Sequence, residues 1–297
     1  MAKTGNLLAQ LSSNLVAQAL AASRTTVAIG SSSGRHSSGM LWAADVVVTS
    51  EQALPKRDDY EARVGDRPTV SATLAGRDPG TNVAVLRLAE ALPFERGAAS
   101  ADARVGAIAL AVGADASGAA SVRLGIVSAI GPAWHSQAGG TIEQRIVLDM
   151  RLDGTDEGGP VVDADGALVG MSTLGSHGQT LVIPSATLER VVPRLLQDGR
   201  IPRGWLGIAL QPIAVPDDLR EAAGQGNGMM VMSVVDDGAG AKAGVLAGDI
   251  LLALGDTPVG RRLGAALGSQ SIGREMDLRL IRSGAITTLR ATIAARP

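Results

Sequence analysis

Short apolar runs separated by glycine-rich punctuation fill most of this chain. Those at Thr25–Ile29, Gly39–Trp42, Val46–Thr49, Thr69–Leu74, Val83–Leu88 and Ala107–Val112 predict strands, and so do Ser121–Val127, Ile146–Leu148, Pro160–Val162, Leu168–Ser172 and Thr180–Ile183. Many short strands with regular turn signals predict an all-β barrel or sandwich. The period then changes. Leu188, Val191, Val192, Leu195 and Leu196 recur at helical spacing, with Ser185 as N-cap and Gly199 as the stop. A second helical stripe, Leu7, Leu8, Leu11, Leu15 and Leu20, precedes the strands and predicts an amphipathic helix. Beyond a short linker at 199–204, Leu206–Leu210, Met229–Val235, Met276–Ile281 and Thr287–Ile293 predict strands, and Ala239–Ala243 and Arg261–Leu267 predict helices. The chain divides into an N-terminal helix (1–24), a β-rich domain (25–198), the linker (199–204) and a smaller domain (205–297).

Composition narrows the functional classes. A length of 297 residues suits two domains. Lys plus Arg is 27 and Asp plus Glu is 29, so no broadly basic surface is available for phosphate, and aromatics are only 2%. Nucleic acid is therefore not an expected partner. The absence of cysteine excludes disulfides and thiolate chemistry. His36, His135 and His177 are too scattered to suggest a metal cluster, and no metal or other cofactor is expected. No run reaches the roughly 18 apolar residues of a membrane span. Gln10, Ser12, Ser13 and Asn14 interrupt the first apolar stretch. This favours a helix over an export signal and predicts a cytoplasmic protein, with the periplasm as the alternative if residues 1–24 are an atypical signal.

The run Asp156-Glu157-Gly158-Gly159-Pro160, followed by Val161-Val162-Asp163 and Gly166-Ala167-Leu168-Val169-Gly170-Met171, resembles the G-N-S-G-G-P segment and following hairpin of HtrA/Deg serine proteases. Further matches follow in order: Ser38-Gly39-Met40-Leu41, Val46–Leu54, Thr81–Leu88, Gly125-Ile126-Val127-Ser128 and Val182-Ile183-Pro184-Ser185. The resemblance covers most of residues 25–198 and implies a trypsin-like double β-barrel. It places the family's histidine on Gln52, its aspartate on Asn82, its serine on Glu157 and the oxyanion-hole glycine on Thr155. An amide at Gln52 has no basic lone pair near neutral pH, and Glu157 has no hydroxyl to activate. Exchanging the triad aspartate alone for asparagine costs about 10⁴ in rate in enzymes that keep the other two members. On this reading the chain is not an enzyme.

Residues 204–297 resemble a bacterial PDZ domain, a β-barrel-like sheet with two helices. The resemblance rests on Arg203-Gly204-Trp205-Leu206-Gly207-Ile208, on Gly228–Val235, on Ala241–Leu251 and on Arg282-Ser283-Gly284. It implies that a partner's extended C-terminus pairs with the strand at Ile208, Ala209 and Leu210. The terminal carboxylate would meet the amides after Trp205, at Leu206, Gly207 and Ile208. Leu206, Ile208, Leu210, Leu263 and Leu267 are candidate lining for the last side chain; the plainer reading is that some are core, because strand residues alternate faces.

The reading that unites both halves is an inactive HtrA-like homologue that binds protein or peptide as a scaffold, chaperone-like holder or accessory subunit. Two alternatives stay open. One is a hydrolase with relocated, metal-assisted chemistry at Asp153–Glu157, with Asp149 nearby; the plainer reading pairs Asp156 and Glu157 with backbone amides or Arg151. The other is a structural subunit of a larger enzyme complex. The resemblance also implies assembly through the N-terminal part, as a homo-oligomer, specifically a trimer, or within a hetero-complex.

Overall fold

The computed structural model describes residues 6–30, 36–56, 59–95, 97–98, 103–136, 138–260 and 263–296. They fall into two compact units. One holds residues 1–134 and 141–201, the other residues 135–140 and 202–297.

The larger unit is built from two closed six-stranded barrels. The first runs Thr26–Gly30, His36–Ala43, Val46–Ser50, Val83–Leu88, Val70–Asp78, Asp59–Arg63, and closes where Ile29 faces Ala62. The second runs Arg145–Leu148, Thr180–Pro184, Leu168–Leu174, Pro160–Asp163, Ile108–Ala114, Ala120–Gly131, and closes through the pairing of Ile146 with Ile130. Closure leaves no free strand edge, so all backbone pairing is internal. Asp59–Arg63 is absent from the sequence-based strand set. Its pattern of Asp59, Tyr60, Glu61, Ala62 and Arg63 buries only Tyr60 and Ala62, and a half-polar strand of five carries little apolar signal.

Val46–Ser50 is buried on both faces; its three valines pack apolar neighbours, and the Thr49 and Ser50 hydroxyls are hydrogen-bonded. Val47 points into the first barrel with Val27, Ile29 and Leu86. Val46 and Val48 join a second cluster with Met40, Val83, Val85 and the helix Ser185–Asp198. That helix contributes Leu188, Val191, Val192 and Leu195, all fully buried on one face. It stops at Gly199 in the left-handed region, whose amide donates to Leu195 O. Ser185 is not the N-cap: Pro184 takes that position and supplies no side-chain bond.

The first helix, Leu7–Ser23, starts at Asn6, whose Oδ1 accepts from Leu8 N. Its predicted leucine stripe does not become its buried face. Leu7, Leu8, Leu11 and Leu20 stay exposed, and the contact with the second barrel runs through Leu15, Ala19 and Ala22 against Leu110, Val112 and Val162. Small alanines permit that close approach. No helix among the described residues is long and apolar enough to cross a membrane.

The smaller unit is a sheet in the order Ile208–Ala214, Asn227–Val234, Ile250–Leu254, Glu275–Arg282, Ala285–Thr292, with a pendant strand at Thr257–Pro258. Ile208–Ala214 is an edge. Gly204–Trp205 pairs separately with Ala294–Ala295. The helix predicted at 261–267 is described only as Leu263–Ala266, because Arg261 and Arg262 lie outside the described residues. A buried ion pair pins the loop before the Ile250–Leu254 strand. Arg282 Nε and Nη2 donate to the two oxygens of Asp249 at 2.8 and 2.6 Å, and Leu246 N adds a third bond at 2.8 Å. Burial opposes ionisation of Asp249, but the Arg282 and Leu246 hydrogen bonds outweigh it and hold the carboxyl below its ordinary value.

A carboxyl with a lowered pKa in the fold contributes stability above its unfolded value of about 3.9, and that stability is lost as pH falls through the folded value. Asp249→Asn is therefore expected to destabilise the smaller unit by about 2–3 kcal/mol at pH 7. Urea unfolding should show the gap from the parent chain narrowing once the pH is taken below the carboxylate range. A gap that stays constant from pH 7 to pH 2 would contradict this account.

Candidate functional site

The turn at residues 153–159 lies between the two barrels' strand ends. Its shape depends on two glycines. Gly158 has φ +94°, and a Cβ there would stand 2.3 Å from Ser38 O; at Gly159 a Cβ would stand 2.0 Å from Val112 O. Main-chain bonds fasten the turn on both sides. Ser38 N donates to Glu157 O, and Gly158 N donates to Ser172 O.

Gln52, Asn82 and Glu157 meet in one hydrogen-bonded network. Glu157 is 5% exposed, and its Oε1 accepts from Gln52 Nε2 (2.5 Å), Thr173 Oγ1 (2.7 Å), Ser50 Oγ (2.9 Å) and Leu174 N (3.1 Å). Gln52 Nε2 also reaches Leu174 O at 2.8 Å. Asn82 sits at φ +56°, a conformation that asparagine tolerates better than most residues. Its Oδ1 accepts from Gln52 N (2.8 Å), and its Nδ2 donates to Thr173 Oγ1 (2.7 Å). Thr155 is tied by its carbonyl, which accepts from Ser38 Oγ at 2.7 Å. The amides of Thr155 and Glu157 donate to no partner among the described residues. Ser50 and Thr173 were not singled out from the sequence. Their only sequence signal is a pair of hydroxyl residues, Thr49-Ser50 and Ser172-Thr173, at the end of an apolar strand.

The acids of the loop are divided between two networks. Asp156 is 3% exposed, and its oxygens accept from Ser121 Oγ (2.5 Å) and Arg123 Nε (3.0 Å), while Arg123 Nη2 also pairs with Asp153. Asp156 and Glu157 therefore point into separate networks. No group of three or more metal-ligating side chains occurs among the described residues. The partner of Asp156 is Arg123 rather than Arg151, because Ser121 and Arg123 project from one side of their strand toward the turn. Hydrogen bonding and the charge of Asp156 raise the Arg123 pKa above its ordinary value.

In the smaller unit the loop before the edge strand is held by its carbonyls. Gly240 N donates to Leu206 O (2.6 Å) and Val235 N to Gly207 O (2.7 Å). The amides of Leu206 and Gly207 donate to no partner among the described residues. Gly207 has φ +72°, and a Cβ would sit 3.2 Å from Gly238 Cα. Leu206 is core at 2% exposure, so its side chain lines no groove. Ile208, Leu210, Leu263 and Leu267 are half-buried against the same cluster; Trp205 is half-buried and Ala209 exposed.

Removing the Glu157 carboxylate leaves Thr173, Gln52, Ser50 and Leu174 without their shared acceptor. Glu157→Ala is expected to lower the stability of the larger unit by about 2–3 kcal/mol, read as a shift of its urea midpoint. An unchanged midpoint would mean that the network contributes nothing to folding.

Comparison with known proteins gives two domain matches: residues 37–171 match the trypsin-like peptidase domain and residues 204–293 the PDZ domain. A probable periplasmic serine endoprotease, DegP-like, of Pseudomonas putida (strain W619) is 32% identical over 88% of this chain and 56% of its own length. Its counterpart in Brucella suis biovar 1 is also 32% identical, over 88% and 52%. The chain thus spans little more than half the length of these relatives. Among solved structures, the HtrA-type protease AlgW with decapeptide is 26% identical, with a TM-score of 0.70 over 95% of this chain and 98% of that one. The serine endoprotease from Yersinia pestis, at 24% identity and a TM-score of 0.71 over 95% and 98%, shares the fold. These relatives correct two expectations. They are named serine endoproteases, which points to protease activity and overturns the expectation that the chain is not an enzyme. They are named periplasmic, which points away from the cytoplasm; a helix-like apolar pattern at residues 7–20 is no measure of compartment. The double barrel, the smaller sheet unit and these comparisons together make the chain an HtrA-like, trypsin-fold protein with a PDZ domain.

Proposed function

We propose that this chain recognises the free carboxyl end of an extended peptide in its PDZ domain and presents or holds the attached chain as a scaffold, chaperone-like holder or accessory subunit. We place the domain limits at 25–198 and 205–297, joined by 199–204. One observation carries the reading: among the described residues the amides of Leu206 and Gly207 donate to no partner, directly before an edge strand. Free main-chain donors suit a carboxylate, and an open edge suits strand addition. Gly207 keeps the loop bare, so that a carboxylate reaches the amides. Ile208, Leu210, Leu263 and Leu267 supply apolar contact for the terminal side chain, with Trp205 and Ala209 flanking the bound strand. The solved structure of the HtrA-type protease AlgW with a decapeptide supports peptide binding.

Similarity to a probable serine endoprotease favours a second activity, endoproteolysis. Glu157 offers a carboxylate rather than a hydroxyl, so cleavage here would need a water that attacks the scissile carbonyl and gives its proton to Glu157, which passes it to the leaving nitrogen as the C–N bond breaks, without an acyl-serine.

Two measurements test these readings. Fluorescence anisotropy with peptides bearing a free or an amidated C-terminus should show at least tenfold weaker binding on amidation, because the charge-assisted bonds to the loop amides are lost. Gly207→Glu should abolish binding while the thermal transition of the double barrel stays in place. Equal affinity for both peptide forms would remove the carboxylate-loop reading. Casein digestion should be insensitive to a sulfonyl fluoride and lost in Glu157→Gln; inhibition by that reagent would point to a serine elsewhere.

A further inference from the structure

The edge strand Ile208–Ala214 contains a proline, and the position of that proline limits the peptide. Main-chain groups of a strand point alternately to its two sides. Two bonds fix which residues face the neighbouring strand. Val235 N donates to Gly207 O at 2.7 Å, and Val215 N donates to Gly226 O at 2.9 Å. Residues 207 and 215 differ by an even number, so 207, 209, 211, 213 and 215 form the inward set. The neighbour agrees: Val231 N donates to Asp249 O and Val231 O accepts from Gly248 N, on the far side, leaving Met230 and Gly228 to face Gln211 and Ile213. The one irregularity, between Ala209 and Leu210, inserts Met232 on the neighbouring strand and leaves the phase of the edge strand unchanged.

The free edge is therefore lined by the main chain of Ile208, Leu210, Pro212 and Ala214. Ile208 and Leu210 each offer an N–H and a C=O. Pro212 offers no N–H, and its ring occupies the space through which a paired carbonyl would approach. We propose that Pro212 terminates the strand-addition ladder, so that only the last residues of a bound peptide are read through their main chain. This rests on the carboxylate-loop reading above. With the carboxylate at Leu206 and Gly207, the peptide's last residue pairs with Ile208 and its third-from-last residue with Leu210. The fifth-from-last residue meets Pro212, finds no donor and turns away from the sheet. Pro212 acts as a length-setting residue for specificity and contributes no contact of its own to the tail.

The test uses the full chain. A library of random heptapeptides with free carboxyl ends is selected on it, and the most enriched sequence is synthesised in lengths from three to seven residues and with single amide-to-ester exchanges. Enrichment confined to the last four positions, a plateau in affinity at about four residues, and an ester penalty of about 3- to 10-fold at the third-from-last position are expected. An ester at the fifth-from-last position should change affinity less than about twofold, below the range of a hydrogen bond. In Pro212→Ala the heptapeptide should gain about 3- to 10-fold over the tetrapeptide, and the fifth-position ester should become costly. The ester scan on the unaltered chain decides the matter even if the variant folds poorly. Equal penalties at the third and fifth positions would overturn the role of Pro212 while leaving strand addition intact. Failure to enrich any heptapeptide would overturn strand addition itself, and this proposal with it.

Discussion

A single carboxylate oxygen, Glu157 Oε1, gathers donors from the strand ends of both barrels. Ser50 and Gln52 follow from the first barrel, and Thr173 and Leu174 from the second. A hydrogen bond to an ionised acceptor is about twice as strong as a neutral one, and the low polarity around a side chain 5% exposed strengthens it further. The same point fixes the turn that carries Gly158 and Gly159, and that turn lies close enough to Ser38 and Val112 that no larger residue fits. The cleft between the barrels thus owes its present shape to a residue whose chemistry is that of an acceptor. Its neighbour Asp156 holds the other side of the turn through Ser121 and Arg123. Two adjacent acids serve as opposite anchors of one loop.

Much of the fold was legible because its buried strands are apolar on both faces or alternate cleanly. Val46–Ser50, Val83–Leu88 and Ile108–Ala114 announce themselves in that way. Asp59–Arg63 did not, because this strand supplies backbone pairing and only two inward side chains, Tyr60 and Ala62. The first helix was found but its orientation was misread. Leucines dominate hydropathy, yet the barrel surface accepts the alanine side of the helix, where backbone approach is closest. Hydropathy records transfer preference and leaves out shape.

The site was legible in its members and less so in its wiring. Gln52, Asn82 and Glu157 were reached through the family frame, and their mutual contact follows from the fold. Arg123 as the partner of Asp156 was out of reach, since the two are far apart in sequence and meet only through barrel pairing. The amides of Leu206 and Gly207 were reached through the PDZ resemblance; that their carbonyls, held by Gly240 N and Val235 N, fasten the loop follows only from the fold. The kinship with named endoproteases came from the chain as a whole, where residue-by-residue chemistry at three positions had argued the other way. Fold and site carry separate information.

The doubly buried strand Val46–Ser50 has a consequence for how the chain is made. One face is covered by the first barrel, complete once residue 88 has emerged. The other waits for Leu188, Val191, Val192 and Leu195. A nascent chain that ends before residue 185 therefore lacks four of the buried residues that cover Val46, Val48, Val83 and Val85, however well its first barrel has closed. Sequence separations of this size slow folding and prolong the lifetime of sticky intermediates. Synthesis from the N-terminus cannot finish this unit piecemeal; its last helix acts as the seal, and the ribosome must deliver it before the first strands are safe from aggregation.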